Sequence, residues 1–180
     1  QKGYRPETIV FDLPTQFSTA CEPWDMSNES PCYAPKNYNG KYVGPLSLRN
    51  ALAQSLNIPA VKVLYLTGLK DAIKLAGDMG ITTLNDPDRL GLTLVLGGGE
   101  VTLLEHTGGY AVFANEGVKA KRRAILKIED INGDVIEETP EESTRVMERD
   151  TALLISDVLS DTVARTPLWG HYSMVNFGDR

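Results

Sequence analysis

Residues 47–63 read SLRNALAQSLNIPAVKV, and this stretch predicts two helices joined by a short turn. Ser47 is a favourable N-cap residue, and the apolar positions that follow it recur with the helical period. We therefore expect a first helix that runs to about Ser55. Asn57 is expected to cap a second helix, because Pro59 in a first helical turn loses no intrahelical hydrogen bond.

Further helices are predicted downstream by the same signals of period, cap and terminal glycine. The second helix is expected to end before Gly68, a residue type that favours the position just past a helix. Thr102 is a further candidate cap, and apolar positions recur with the helical period along the rest of the chain. The remaining helices are expected over residues 69–79, from about 103 to 115, and over 148–163.

Composition divides the chain into an arm and a helical part. Residues 1–45 are rich in Pro, Asn, Tyr and Gly and show no sustained period, so we expect an extended arm with tight turns. Residues 46–180 predict helices and one β-hairpin at about 124–138, joined at Asn132-Gly133 by a type I′ turn. The expected fold class is therefore mainly α or α+β.

Length and charge exclude several classes of protein. The 180 residues fit one domain, and the net charge of −6 argues against general binding to nucleic acid or to anionic membranes. No apolar run reaches the roughly 20 residues of a membrane span, and the N-terminus lacks the pattern of a signal peptide. Because the chain begins with Gln1 rather than Met, we expect a segment of something longer.

The two cysteines, Cys21 and Cys32, flank a turn-rich segment. In an oxidising compartment they could close a short loop as a disulfide, and otherwise they would be two buried thiols. Composition leaves both alternatives open. A zinc site is not expected, because the spacing does not suit a ligand pair and neither His106 nor His171 has a partner histidine or cysteine nearby in sequence.

Common catalytic templates do not fit the sequence. Gly97-Gly98-Gly99 is followed by Glu100 and lacks the Lys-Ser/Thr of a phosphate-binding loop, and no serine occupies a G-x-S-x-G motif. The basic cluster 119–123 and the acidic pair Glu141-Glu142 are expected to be solvated surface. We expect no cofactor and no metal.

Ser55-Leu56-Asn57 remains as a candidate site between two predicted helices. By itself the triplet also fits a helix-end serine and an N-cap asparagine. Its surroundings are more specific. They comprise Tyr33-x-Pro35-x-Asn37-Tyr38, Gly44, Arg49-x-Ala51-Leu52-x-x-Ser55-Leu56-Asn57-Ile58-Pro59-Ala60-Val61, Leu94-x-Leu96-Gly97-Gly98-x-Glu100-Val101-Thr102 and Tyr110-Ala111-x-Phe113-Ala114-Asn115-x-Gly117.

In order and spacing, these motifs resemble the transpeptidase domain of class A penicillin-binding proteins, bifunctional enzymes that polymerise and cross-link peptidoglycan. The resemblance covers about residues 3–165. It implies the helical subdomain of the penicilloyl-serine transferase fold, shared by β-lactamases and transpeptidases, with an extended N-terminal arm and one hairpin. In that family a serine of an S-x-x-K motif is acylated by D-Ala-D-Ala stem peptides or by β-lactams.

Two family motifs are absent from this chain. No serine is followed three residues later by lysine, and there is no K-T-G or K-S-G. The resemblance implies that Ser55 is the proton-relay serine and Asn57 the residue that binds the substrate amide. It also implies that the nucleophile lies outside this chain, so we expect residues 46–180 to form a partial domain and the fragment alone to be inactive.

The resemblance further implies a cellular setting. The parent would act on the extracytoplasmic face of the bacterial cytoplasmic membrane, anchored by a span outside this chain, and would carry a glycosyltransferase domain elsewhere. Its partners would be stem peptides, β-lactams and other cell-wall synthesis proteins. That oxidising location favours a disulfide between Cys21 and Cys32.

Two other functions stay open at this stage. A degenerate transpeptidase fold could act as a non-catalytic scaffold or partner-binding module. A β-lactamase or penicillin sensor of the same superfamily fits less well, because residues 33–38 and 111–117 look like those of class A synthases.

Overall fold

The computed structural model describes residues 3–174, and helices account for most of its regular structure. The helices are α1 Leu48–Ala53, α2 Asn57–Thr67, α3 Leu69–Asp78, α4 Pro87–Leu90, α5 Leu103–Ala114, α6 Arg149–Ser160 and α7 Thr162–Trp169, with a 3-10 helix at Gly91–Leu96. The strands are β1 Ile9–Asp12, β2 Gly44–Ser47, β3 Val118–Ala120, β4 Lys127–Glu129, β5 Val135–Glu138 and β6 Ser143–Arg145. The predicted mainly helical class with short strands is confirmed.

Three antiparallel strand pairs form within residues 3–174: β1 with β2 and β3 with β6 join segments far apart in the chain, whereas β4 and β5 form a hairpin. The first pair aligns Ile9 with Ser47 and Asp12 with Gly44. Because β2 leads directly into α1, this pair holds the beginning of the arm against the helix that precedes Ser55.

The predicted helix over 148–163 is in fact two helices. Asp161 lies between α6 and α7 with an extended backbone, and its side chain accepts a hydrogen bond from Ala164 N at 2.8 Å. An aspartate that caps the following helix satisfies one of that helix's free N–H groups and ends the preceding helix. The expectation of one continuous helix was therefore wrong because Asp161 acts as a cap.

The predicted hairpin forms between β4 and β5, but its turn is not type I′. Asp130 O accepts from Gly133 N at 3.1 Å, and the Asp130 carboxylate accepts from the backbone N–H groups of Asn132 and Asp134. Only Gly133 has a positive φ in this loop, whereas a type I′ turn needs two such residues. The side-chain hydrogen bonds of Asp130 favour this longer loop.

Small buried clusters form the interior. One cluster joins Leu46, Ala51 and Leu56 around the first helix, and another joins Ala53 of α1 to Val158 and Ala164 of α6 and α7. A compact monomer of this mass should expose about 8,600 Å². This chain exposes 12474 Å², and many large apolar side chains contribute to that area.

None of the helices in the described part of the chain is long and apolar enough to cross a membrane.

Arg49 links α1 to the two C-terminal helices. Its guanidinium pairs with Asp157 and, at 2.9 Å, with Asp161. The pKa of Asp161 is held below its ordinary value, first by the hydrogen bond from Ala164 N and also by Arg49. The two ion pairs of Arg49 therefore join α1, the helix that precedes Ser55, to the junction of α6 and α7.

We expect acid to weaken this junction. A carboxyl whose pKa is lower in the folded chain than in the unfolded chain stabilises the fold above its unfolded pKa of about 4, and this stability is lost as pH falls through the folded pKa. Denaturant unfolding between pH 6 and 3 should show falling stability, with a shallower fall in Asp161→Asn. Equal slopes would contradict the role of Asp161.

Candidate functional site

Ser55 occupies the turn that ends α1. Its N–H donates to Leu52 O at 3.0 Å, and Leu56 N donates to Ala51 O at 3.0 Å. These two bonds form the Schellman motif of a helix C-terminus, and the buried contact between Ala51 and Leu56 is its usual apolar companion. The predicted helix and turn are thus built by backbone bonds that fix Ser55 in one place.

The backbone of Ser55 is left-handed, with φ of 54°. This position of a Schellman motif usually holds glycine, because a Cβ makes the left-handed region unfavourable. Of the non-glycine residues in the described chain, only Ser55 and Glu116 have a positive φ. Such strained residues cluster at functional sites, so a serine here points to a use for its hydroxyl.

Asn57 is the first residue of α2 and not its N-cap. The cap position is held by Leu56, whose side chain cannot accept a hydrogen bond. Asn37 from the arm supplies the missing acceptor: its Oδ1 accepts from Asn57 N at 2.9 Å and from Ile58 N at 3.4 Å. The expectation that Asn57 caps its own helix was wrong because a distant asparagine does so.

The side-chain amide of Asn57 uses only part of its hydrogen-bonding capacity. Its Nδ2 donates to Lys36 O at 2.7 Å, which leaves a second N–H and the carbonyl oxygen of the same amide. The Ser55 side chain is exposed, and its hydroxyl makes no hydrogen bond within residues 3–174. The structure therefore brings a hydroxyl and an amide, both with unused hydrogen-bonding capacity, to one turn.

Asp12 and Asn37 lie under this turn and were not predicted as site residues. Asp12 is fully buried at the end of β1, and Asn37 Nδ2 lies 2.9 Å and 2.8 Å from its two carboxylate oxygens. The sequence signal was slight: Asn37 belongs to the arm motif quoted above, and Asp12 follows a short apolar strand.

Lys62 of α2 lies beside the end of β1, where its Nζ donates a hydrogen bond to Phe11 O at 2.7 Å. Burial lowers the pKa of the Lys62 ammonium, and the charge of Asp12 offsets part of that shift. A positive charge near the buried carboxylate reduces the cost of burying it.

Cys21 and Cys32 lie in the arm and are joined, with Cα atoms 5.6 Å apart. Asp25 lies close to both sulfur atoms, but bridged cysteines offer no thiolate to a metal ion.

We expect the cysteines to be oxidised in the purified protein. Thiol titration under denaturing, non-reducing conditions should find no reactive thiol, and prior reduction should release both. Two reactive thiols before reduction would show that the bridge does not form.

A separate cavity of about 400 Å³ does not include Ser55 or Asn57 in its lining. Its charged groups are largely occupied: Lys119 Nζ donates to Asp78 O at 2.6 Å, and Lys121 pairs with Glu142 at 2.7 Å. Glu105 accepts from Thr82 Oγ1 at 2.7 Å. These contacts join β3 to the end of α3, the residues that flank β3 and β6 to each other, and α5 to the segment after α3, and they indicate a structural role for this region.

The sequence matches the model of a known protein family over most of its length. The model of the penicillin binding protein transpeptidase domain matches residues 13–173. That range includes both Ser55 and Asn57.

Curated relatives agree with this match. Penicillin-binding protein 1A of Aquifex aeolicus is 35% identical over 152 residues, which is 83% of this chain and 20% of the relative. Penicillin-binding protein 2D of Bacillus subtilis is 32% identical over 161 residues, which is 89% of this chain and 22% of the relative. The chain thus spans about a fifth of the length of these proteins.

Solved structures show the same fold. The crystal structure of penicillin-binding protein 1A from Haemophilus influenzae has a TM-score of 0.74 at 23% identity and covers 91% of this chain, which corresponds to 27% of that structure. The crystal structure of PBPA from Mycobacterium tuberculosis has a TM-score of 0.68 at 17% identity. The match covers 93% of this chain and 41% of that structure.

Proposed function

The chain belongs to the penicillin binding protein transpeptidase domain family, and we propose that the protein containing it is a serine-type D,D-transpeptidase that cross-links peptidoglycan. The observation that carries this proposal is the Ser55 turn. Its serine keeps a left-handed backbone and an exposed hydroxyl two residues before an amide with free hydrogen-bonding groups.

The proposed reaction is acyl transfer through a covalent intermediate. A serine outside these residues attacks the carbonyl carbon between two D-alanines, the peptide C–N bond breaks, and the terminal D-alanine leaves with a proton. An amine of a second stem peptide then attacks the ester carbonyl carbon, the C–O bond to the serine breaks, and a proton of the amine passes to the serine oxygen. Covalent catalysis divides one difficult exchange into two easier steps.

Ser55 is suited to carry a proton in these steps. A hydroxyl both donates and accepts, so it can take a proton from one neighbour and pass one to the leaving amine. Because two backbone bonds fix the turn, the hydroxyl needs little reorganisation to reach a substrate.

Asn57 is suited to hold the substrate. Its second amide N–H can donate to a peptide carbonyl, and its carbonyl oxygen can accept from a peptide N–H. The bond from Nδ2 to Lys36 O restricts rotation of the amide before any ligand arrives.

The same family membership supports further parts of the proposal. The parent would act outside the cytoplasmic membrane, anchored by a segment beyond this chain and accompanied by a glycosyltransferase domain. Its ligands would be D-Ala-D-Ala stem peptides and β-lactams. The 12474 Å² of exposed surface supports the view that residues 46–180 are part of a larger domain.

Substitution of Asn57 tests the assigned role. In the longer protein, Asn57→Ala should lower the rate of acylation by a labelled penicillin by about 10²-fold or more, because a positioning contact in the transition state is lost. Asn85→Ala is a matched control, since Asn85 is exposed and lies in a different turn.

Two outcomes would contradict the proposal. Equal acylation rates in both variants would remove Asn57 from the site. A wild-type protein that folds but forms no adduct would favour a non-catalytic scaffold.

A further inference from the structure

A chain of hydrogen bonds runs from β1 to the start of α2. The carboxylate of Asp12 accepts from Asn37 Nδ2, and Asn37 Oδ1 accepts from Asn57 N and Ile58 N. Asn37 is only 4% exposed and Asp12 is fully buried, so the link between them is buried, and the link from Asn37 to Asn57 N is partly buried. A buried polar chain of this kind is strong only when every member is satisfied.

The hydrogen bonds at the helix start confirm what Asn37 contributes. An α-helix begins with free N–H groups that need acceptors. In α2, Asn57 N and Ile58 N donate to Asn37, Pro59 has no N–H, and Ala60 N donates to Leu56 O at 3.3 Å. Without Asn37, the two N–H groups nearest the site would have no acceptor among the described residues.

Asn37 and its neighbour hold Asn57 at two points. Asn37 Oδ1 binds the main-chain N–H of Asn57, and the preceding carbonyl, Lys36 O, binds its side-chain amide. A shift of residues 36–37 would therefore move both the backbone and the amide of Asn57. The orientation of the amide thus depends on the arm as well as on α2.

Asp12 in turn orients Asn37. Its two oxygens face one amide nitrogen, so the Asn37 amide must point its oxygen toward α2 and its nitrogen toward β1. Asp12 also accepts from Val43 N at 2.9 Å, and Asn37 Nδ2 donates to Lys41 O at 2.8 Å. Lys62 of α2 lies close enough to Asp12 for the two charges to attract each other.

We propose that Asp12 and Asn37 are positioning residues for the transpeptidase site, which set the orientation of Asn57 and of the turn that carries Ser55. This proposal rests on the function proposed above. Neither residue touches the substrate. Both act through the backbone N–H of Asn57, and their effect is on the rate of acylation.

The test exchanges the two side chains in the longer protein. Asn37→Asp places a carboxylate beside Asp12 and should lower the penicillin acylation rate about 10- to 100-fold. The double variant Asp12→Asn with Asn37→Asp restores an amide facing a carboxylate and keeps an acceptor for Asn57 N. It should acylate faster than Asn37→Asp alone, although Lys41 O lacks its amide donor in both variants. A double variant no faster than Asn37→Asp would overturn the proposal.

A structural control separates positioning from general destabilisation. In Gly117→Ala the new Cβ would clash with Met147 O at a φ of 89°, far in sequence from Asn37. This variant should lose stability and keep its acylation rate per folded molecule. An equal loss of rate in Gly117→Ala and Asn37→Asp would show that Asn37 acts only on stability.

Hydrogen exchange distinguishes this proposal from the function on which it rests. In the longer protein, a peptide covering residues 53–60 should lose protection in Asn37→Ala and keep it in Gly117→Ala. If the wild type forms no penicillin adduct, the proposed function fails, and this exchange result still decides whether Asn37 holds the turn. Unchanged protection in Asn37→Ala would overturn the positioning role.

Discussion

Ser55→Gly should make the chain more stable and its parent protein nearly inactive. Glycine adopts the left-handed backbone of this turn without a Cβ penalty, so the free energy of unfolding should rise by about 1 kcal/mol. Loss of the hydroxyl should lower the rate of penicillin acylation about 10²- to 10⁴-fold, the usual contribution of a positioned proton-transfer group. Urea unfolding of the chain and stopped-flow acylation of the longer protein measure the two effects.

Ser55→Ala is the matched control. Alanine also removes the hydroxyl but keeps a Cβ at the positive φ, so its acylation rate should fall equally and its stability should stay near that of the wild type. A Ser55→Gly variant with normal acylation would remove Ser55 from the proton path. A less stable Ser55→Gly would contradict the strained turn.

Leu64→Ala should cost about 2–5 kcal/mol of stability in the 180-residue chain. Leu64 lies in α2 and is 6% exposed, so truncation leaves a cavity that its neighbours only partly fill. Because α2 carries Asn57 at its other end, we expect the site to unfold with this helix. Denaturant unfolding followed by circular dichroism gives the difference in free energy.

Leu66→Ala in the same helix is the control, because Leu66 is 52% exposed. In this chain the substitution should change the free energy of unfolding by about 0.5 kcal/mol or less. Equal losses of unfolding free energy at both positions would contradict the burial of Leu64 and the exposure of Leu66.

The helix boundaries could be read from the sequence where a local signal acts alone. Ser47 and Thr102 cap their own helices through side-chain oxygens, and Gly68 follows the end of α2. These residues act within one helical turn, so neighbouring residues suffice to predict them.

The sequence could not predict interactions between distant residues. Asn57 looked like a cap because the residue that caps α2, Asn37, lies twenty residues earlier in the chain. Asp161 and Asp130 act locally, but each lies in a segment whose pattern also fits another structure. The apolar period of residues 148–163 fits one continuous helix, and Asn132-Gly133 fits a type I′ turn, so the pattern did not reveal which structure forms. The resemblance to class A penicillin-binding proteins pointed to Ser55 and Asn57, but the strain of the turn and the support from Asp12 required the structure.

The measurement that tests the central proposal most directly is intact mass spectrometry after incubation with a labelled penicillin. It should be applied to the 180-residue chain and to the longer protein that contains it. We predict one penicilloyl adduct on the longer protein, on a serine of an S-x-x-K motif outside these residues, and none on the chain. An adduct on Ser55, or a folded longer protein that forms no adduct, would contradict the proposal.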